Sequence, residues 1–80
     1  MTNLDVYNAI FESIFSMSAD SFSDEFSVET AEEWDSIRQL ALVAAMEDKF
    51  NIMFDPEDIL EFKSYKTGKE LLLKYNIDIK

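Results

Sequence analysis

The sequence predicts an all-α fold: a four-helix bundle with a long loop between helices one and two and a short third helix. Three observations carry this. Apolar residues recur at spacings of three and four in two long segments, which is the period of an amphipathic helix. The 80 residues contain one Gly and one Pro, leaving little material for tight β-turns. Capping patterns stand at the starts of the second, third and last candidate helices.

Helix one is expected from about Asn3 to Met17, where Tyr7, Ile10, Phe11, Ile14 and Phe15 form one stripe. Residues 16–34 lose that period and collect Ser, Asp and Glu, with Phe22, Phe26, Val28 and Trp34 as anchors pinning the segment to a core. A loop of this length is uncommon in so small a domain and points either to function or to an embedded helical turn.

Helix two opens at Asp35-Ser36-Ile37-Arg38-Gln39 and should reach about Phe50, with Lys49 placed against the negative end of its dipole. Ser36 and Gln39 have capping-box spacing, and Asp35 is an alternative cap. Leu42, Met46 and Phe50, with Val43 beside them, form the core stripe. Ile37, Leu40, Ala41 and Ala44 lie largely off it. This apolar surplus has two readings: a helix sandwiched centrally in the bundle, taken first, or a partner-facing strip beside Ser36 with Glu47 and Asp48 at its margin.

Asp55-Pro56-Glu57-Asp58 places an Asp at a cap and Pro at the first helical position, so a short third helix should run to Glu61 or Phe62. Thr67 and Glu70 suggest a capping box for the last helix, with Ser64 as the alternative cap. Leu71, Leu72 and Tyr75 carry that helix before residues 76–80 trail away.

Composition narrows the chemistry. Nearly half the residues are apolar and seven are Phe, which belongs to a folded core and to one domain spanning residues 1–80. The absence of His and Cys removes imidazole bases, triads, thiol nucleophiles and the commonest zinc ligands, so no catalytic residue and no metal site is assigned, and an enzyme is not expected. The net charge is −10, which disfavours a phosphate backbone as ligand and favours basic partners. That charge is uneven: residues 1–37 hold nine acids and no base (−9), residues 38–80 eight acids and seven bases (−1). No basic n-region, apolar h-region or membrane-length apolar run is present, so a soluble, cytoplasmic, monomeric protein without membrane insertion is expected.

Trp34-Asp35-Ser36-Ile37 resembles the Asp-Ser-Leu signature of acyl carrier proteins, in a tryptophan-containing form similar to stand-alone carriers outside housekeeping fatty-acid synthesis. Leu40, Leu42-Val43, Met46-Glu47-Asp48, Phe50 and Ile52 are similar in spacing to that family's second helix and its exit. Asp55-Pro56-Glu57-Asp58-Ile59 resembles the start of its third. The likeness is strongest from Glu33 to Ile59.

The resemblance implies a bundle of the acyl carrier type and a 4′-phosphopantetheine arm, drawn from coenzyme A, on Ser36. The arm would carry acyl groups as thioesters for a dedicated pathway of polysaccharide, lipid or secondary-metabolite synthesis. It implies that Asp35 assists recognition and magnesium-dependent loading by a phosphopantetheinyl transferase. Ile37, Ala41, Ala44, Glu47 and Asp48 then fall where carriers meet partner enzymes with basic docking surfaces, and Arg38 joins them as a positive charge where many carriers are acidic. Ile59 either borders the arm or acyl chain or is a plain core position. Ile37 in place of Leu, Glu33-Trp34 and Arg38 depart from the commonest pattern and weigh against fatty-acid synthase enzymes as main clients. An aminoacyl or peptidyl carrier loaded by an adenylating enzyme, and an unmodified helical interaction module, are the alternatives.

Overall fold

A computed structural model describes residues 2–79. Among them the chain forms four α-helices: α1 Asn3–Phe15, α2 Ser36–Phe50, α3 Pro56–Glu61 and α4 Tyr65–Lys74, with a 3-10 turn at Ala19–Ser21 in the first loop. No described residue lies in a strand. No helix among the described residues is long and apolar enough to cross a membrane.

Helix α1 starts in a reciprocal capping box, with the Thr2 hydroxyl accepting from the Asp5 amide and the Thr2 amide donating to the Asp5 carboxylate, both at 3.1 Å. It stops two residues short of the expected Met17 because Ser16 turns into the left-handed region at φ 54°. Its stripe of Tyr7, Ile10, Phe11 and Phe15 is buried, and Phe11 is the hub of the core. Around that ring stand Tyr7, Phe15, Phe22, Phe26, Trp34, Phe62 and Tyr65, several edge-on, an arrangement aromatic rings favour.

The first loop is held from within and from across the molecule. Phe22, Phe26 and Trp34 are buried as anchors. Val28 is not: its side chain is 40% exposed, and its hold is through the backbone instead. The Val28 amide donates to the Lys63 carbonyl at 2.9 Å and the Tyr65 amide donates to the Phe26 carbonyl at 2.8 Å, around an isolated antiparallel bridge between Ser27 and Ser64. The 3-10 turn is the helical element that the spacing left open.

Helix α2 buries Leu42, Val43 and Met46, leaves Phe50 half-buried, and ends at Asn51 in the left-handed region. The sandwiched reading of this helix is corrected here. Ile37 and Leu40 are 78% and 65% exposed, and Ala41 and Ala44 are exposed with them. α1 and the aromatic core cover one face only, so the surplus faces water.

Helix α3 has no side-chain cap at Asp55; the Asp55 carbonyl accepts from the Asp58 and Ile59 amides at 3.0 and 3.1 Å. Asp58 turns inward and is buried. Lys74 Nζ donates to it at 2.9 Å and the Tyr75 hydroxyl donates to its other oxygen, while Tyr75 Oη also accepts from the Asp55 amide at 2.9 Å. The Lys74 bond, then the Tyr75 bond, hold the Asp58 carboxyl below its usual pKa, and bonding to Asp58 raises Lys74 and Tyr75 above theirs.

Helix α4 starts earlier than the Thr67–Glu70 spacing suggested. Ser64 is the cap, in a box with Thr67. Residues 76–79 do not trail away either: Ile77 and Ile79 pack against the core, and Asn3 donates to the Asp78 carbonyl at 3.0 Å, while Lys80 lies outside the described residues.

Candidate functional site

Turns from Ser27 to Trp34 deliver the chain to α2: Ala31 donates to the Ser27 carbonyl at 2.8 Å and Trp34 to the Ala31 carbonyl at 3.1 Å. Trp34 drops into the core, and that burial fixes where Asp35 and Ser36 emerge.

Asp35 is the N-cap. Its Oδ1 accepts from the Arg38 amide at 2.9 Å and its Oδ2 from Arg38 Nη1 at 3.2 Å. The ion pair is open to water and is worth under about 1 kcal/mol. The cap thus falls on Asp35 and not on Ser36, and the anticipated Ser36–Gln39 box does not form. Ser36 is the first residue of α2, exposed, and its hydroxyl has no hydrogen bond among the described residues. The first amides of a helix lack intrahelical acceptors, and the positive end of the dipole favours an anion here.

Gln39, one turn on, faces inward. Its Oε1 accepts from Trp34 Nε1 at 2.6 Å and its Nε2 donates to the Ile59 carbonyl at 3.1 Å. This joins the loop, α2 and α3 beneath Ser36. Between them runs an open groove of ≈ 320 Å³, lined by Ser36, Asp35, Trp34, Gln39, Ile59, Leu60, Phe62 and Lys63 together with Val28. Ile59 therefore does two things: it is half-buried against the core, and it forms part of the groove wall.

Ile37, Ala41, Ala44 and Asp48 follow one another at helical spacings of three and four and are all exposed. They make one continuous strip that begins beside Ser36, with Leu40 alongside. Arg38 is turned toward Asp35. Glu47 is half-buried, and one of its carboxylate oxygens accepts from the Phe54 amide at 2.8 Å, so it shapes the exit of α2.

Sequence reasoning missed Gln39 as a bridge, along with Leu60, 73% exposed, and Lys63 as groove residues. Nothing in their local spacing marks them, because each acquires its place from the packing of α3 against α2. Comparison with protein-family models, curated proteins and solved structures finds no match.

Proposed function

We propose that the chain is a carrier protein: Ser36 receives a 4′-phosphopantetheine arm, and the domain presents acyl groups held on that arm to partner enzymes. The observation that carries this reading is the uncommitted, exposed hydroxyl of Ser36 at the start of α2, next to an Asp that does the capping in its place. A serine retained for capping alone would be bonded to the α2 amides.

The surroundings fit such a group. The helix start accommodates a phosphodiester. The groove offers Trp34, Ile59 and Leu60 as apolar walls, Gln39 as a polar one and Lys63 as a cation. When attached, the arm supplies a terminal thiol, which this chain lacks, as the atom that carries the acyl group. The protein's own part is presentation. The Asp35 cap bond to the Arg38 amide closes the first turn of α2, and in this reading that presents Ser36 to a transferase. A base for the serine hydroxyl comes from that enzyme, since none bonds it here.

The exposed strip of Ile37, Leu40, Ala41 and Ala44, with Asp48 at its margin, is the docking face in this reading, and the acidic first half of the chain draws basic partners to it.

Intact-mass spectrometry tests the assignment. After incubation with coenzyme A, magnesium and a broad-specificity phosphopantetheinyl transferase, wild type should gain one phosphopantetheine and Ser36→Ala none. Wild type that gains no mass, or Ser36→Ala that gains it equally, sinks the proposal.

A further inference from the structure

We propose that Gln39 is a positioning residue for Ser36: one amide clamps the two walls of the adjoining groove and thereby sets the surface that a Ser36-modifying enzyme reads. The effect on loading rests on the carrier reading; the clamp itself does not.

The geometry is specific. An indole N–H only donates and a backbone carbonyl only accepts, so the partners dictate the amide's orientation, Oε1 to Trp34 and Nε2 to Ile59. Both ends matter. Trp34 is buried, and its N–H needs an acceptor there. Helix α3 is six residues long, and its last turn closes through the Ile59 carbonyl, which accepts from the Phe62 amide at 3.3 Å and from Gln39 as well, so this is where α2 reaches it. Gln39 also lies three residues after Ser36, on the same side of α2. Loss of the amide therefore releases Trp34 on one side of Ser36 and the end of α3 on the other.

Two variants separate the bonds. Gln39→Met keeps length and an unbranched stem but removes both. Gln39→Glu keeps an acceptor for Trp34 and loses the donor to Ile59. Trp34 is the only tryptophan, so a ¹⁵N spectrum holds a single indole N–H resonance that reports this bond.

For Gln39→Met we expect a displaced indole resonance, faster hydrogen exchange at the Ile59–Phe62 amides, and unchanged far-UV circular dichroism. Loading kcat/KM should fall about tenfold, equivalent to ~1.4 kcal/mol, chiefly through KM. Gln39→Glu should keep the indole resonance near its wild-type position while the α3 amides still exchange faster. An unmoved indole resonance and unchanged exchange in Gln39→Met overturn the clamp, and altered spectra with wild-type loading overturn the positioning role. If Gln39→Met fails to fold, Gln39→Glu decides: unchanged exchange at the Ile59–Phe62 amides overturns the clamp, and faster exchange with wild-type loading overturns the positioning role. Wild type that is never loaded defeats the carrier reading separately, and the spectra still judge the clamp.

Discussion

At the scale of single residues, two adjacent side chains that both favour helix caps do different jobs. Asp35 caps α2 and Ser36, beside it, caps nothing. Asp35→Ala should therefore cost about 1 kcal/mol of stability, the usual loss for a helix cap. Ser36→Ala should stay within about 0.5 kcal/mol, as for an uninvolved surface position. Urea titrations of the two variants check this, and equal losses would return the cap to Ser36. Gly68, the only glycine, is a second case. It sits inside α4, where Ala ordinarily gains about 0.8–1.0 kcal/mol in helix propensity. A Cβ there would collide with the Tyr7 hydroxyl and come within 2.6 Å of Phe62 Cζ, a ring that is fully buried and cannot retreat. Overpacking of this kind costs about 1–3 kcal/mol, so Gly68→Ala should destabilise on balance. A higher denaturation midpoint for this variant would contradict the packing.

At the scale of elements, α3 shows how a short helix is held. Six residues do not form a stable helix alone. Asp58 ties α3 to Lys74 and Tyr75, Gln39 ties it to α2, and Phe62 enters the core just after it. The Asp58 tie is pH-dependent. Its pKa is lowered on folding, so its contribution is present above the unfolded carboxylate value of about 3.9 and is lost as pH falls through the folded value. Wild type should therefore lose, on acidification below about pH 4, the thermal advantage it has over Asp58→Asn at neutral pH. A gap in melting temperature that stays constant from pH 7 to pH 3 would rule this out. The strip on α2 belongs at the same scale. Asp48, exposed and with no hydrogen bond to its carboxylate among the described residues, is the clean position for charge reversal, whereas Glu47 also holds the Phe54 amide.

At the scale of the molecule, charge and core oppose each other. An 80-residue chain buries only a little over ~60% of its unfolded surface, so its margin of stability is small. Its aromatic cluster gathers α1, the first loop and α4 around Phe11, while nine acids without a base occupy residues 1–37. Self-repulsion should make folding sensitive to divalent ions. Magnesium is expected to raise the melting temperature above that in sodium chloride of equal ionic strength. Equal midpoints would assign the charge to solubility alone.

Much of this was legible in the chain, because local rules wrote it. Helix order, the short α3 behind Asp55-Pro56, the buried stripe of α1 and the anchoring of the loop by Phe22, Phe26 and Trp34 follow from spacing, capping chemistry and aromatic burial. Ser36 was legible as a position, since the loop and the start of α2 isolate it. Tertiary structure alone decided the rest. Ile37, Leu40, Ala41 and Ala44 read first as core, with a surface strip as the second reading, and they became surface because α1 and the aromatic cluster cover only the opposite face of α2. Gln39 read as part of a cap and became a bridge because Trp34 and Ile59, five and twenty residues away, are brought to its two ends. Capping and periodicity act within a few residues, whereas burial and the pairing of buried polar groups depend on what the rest of the chain places opposite.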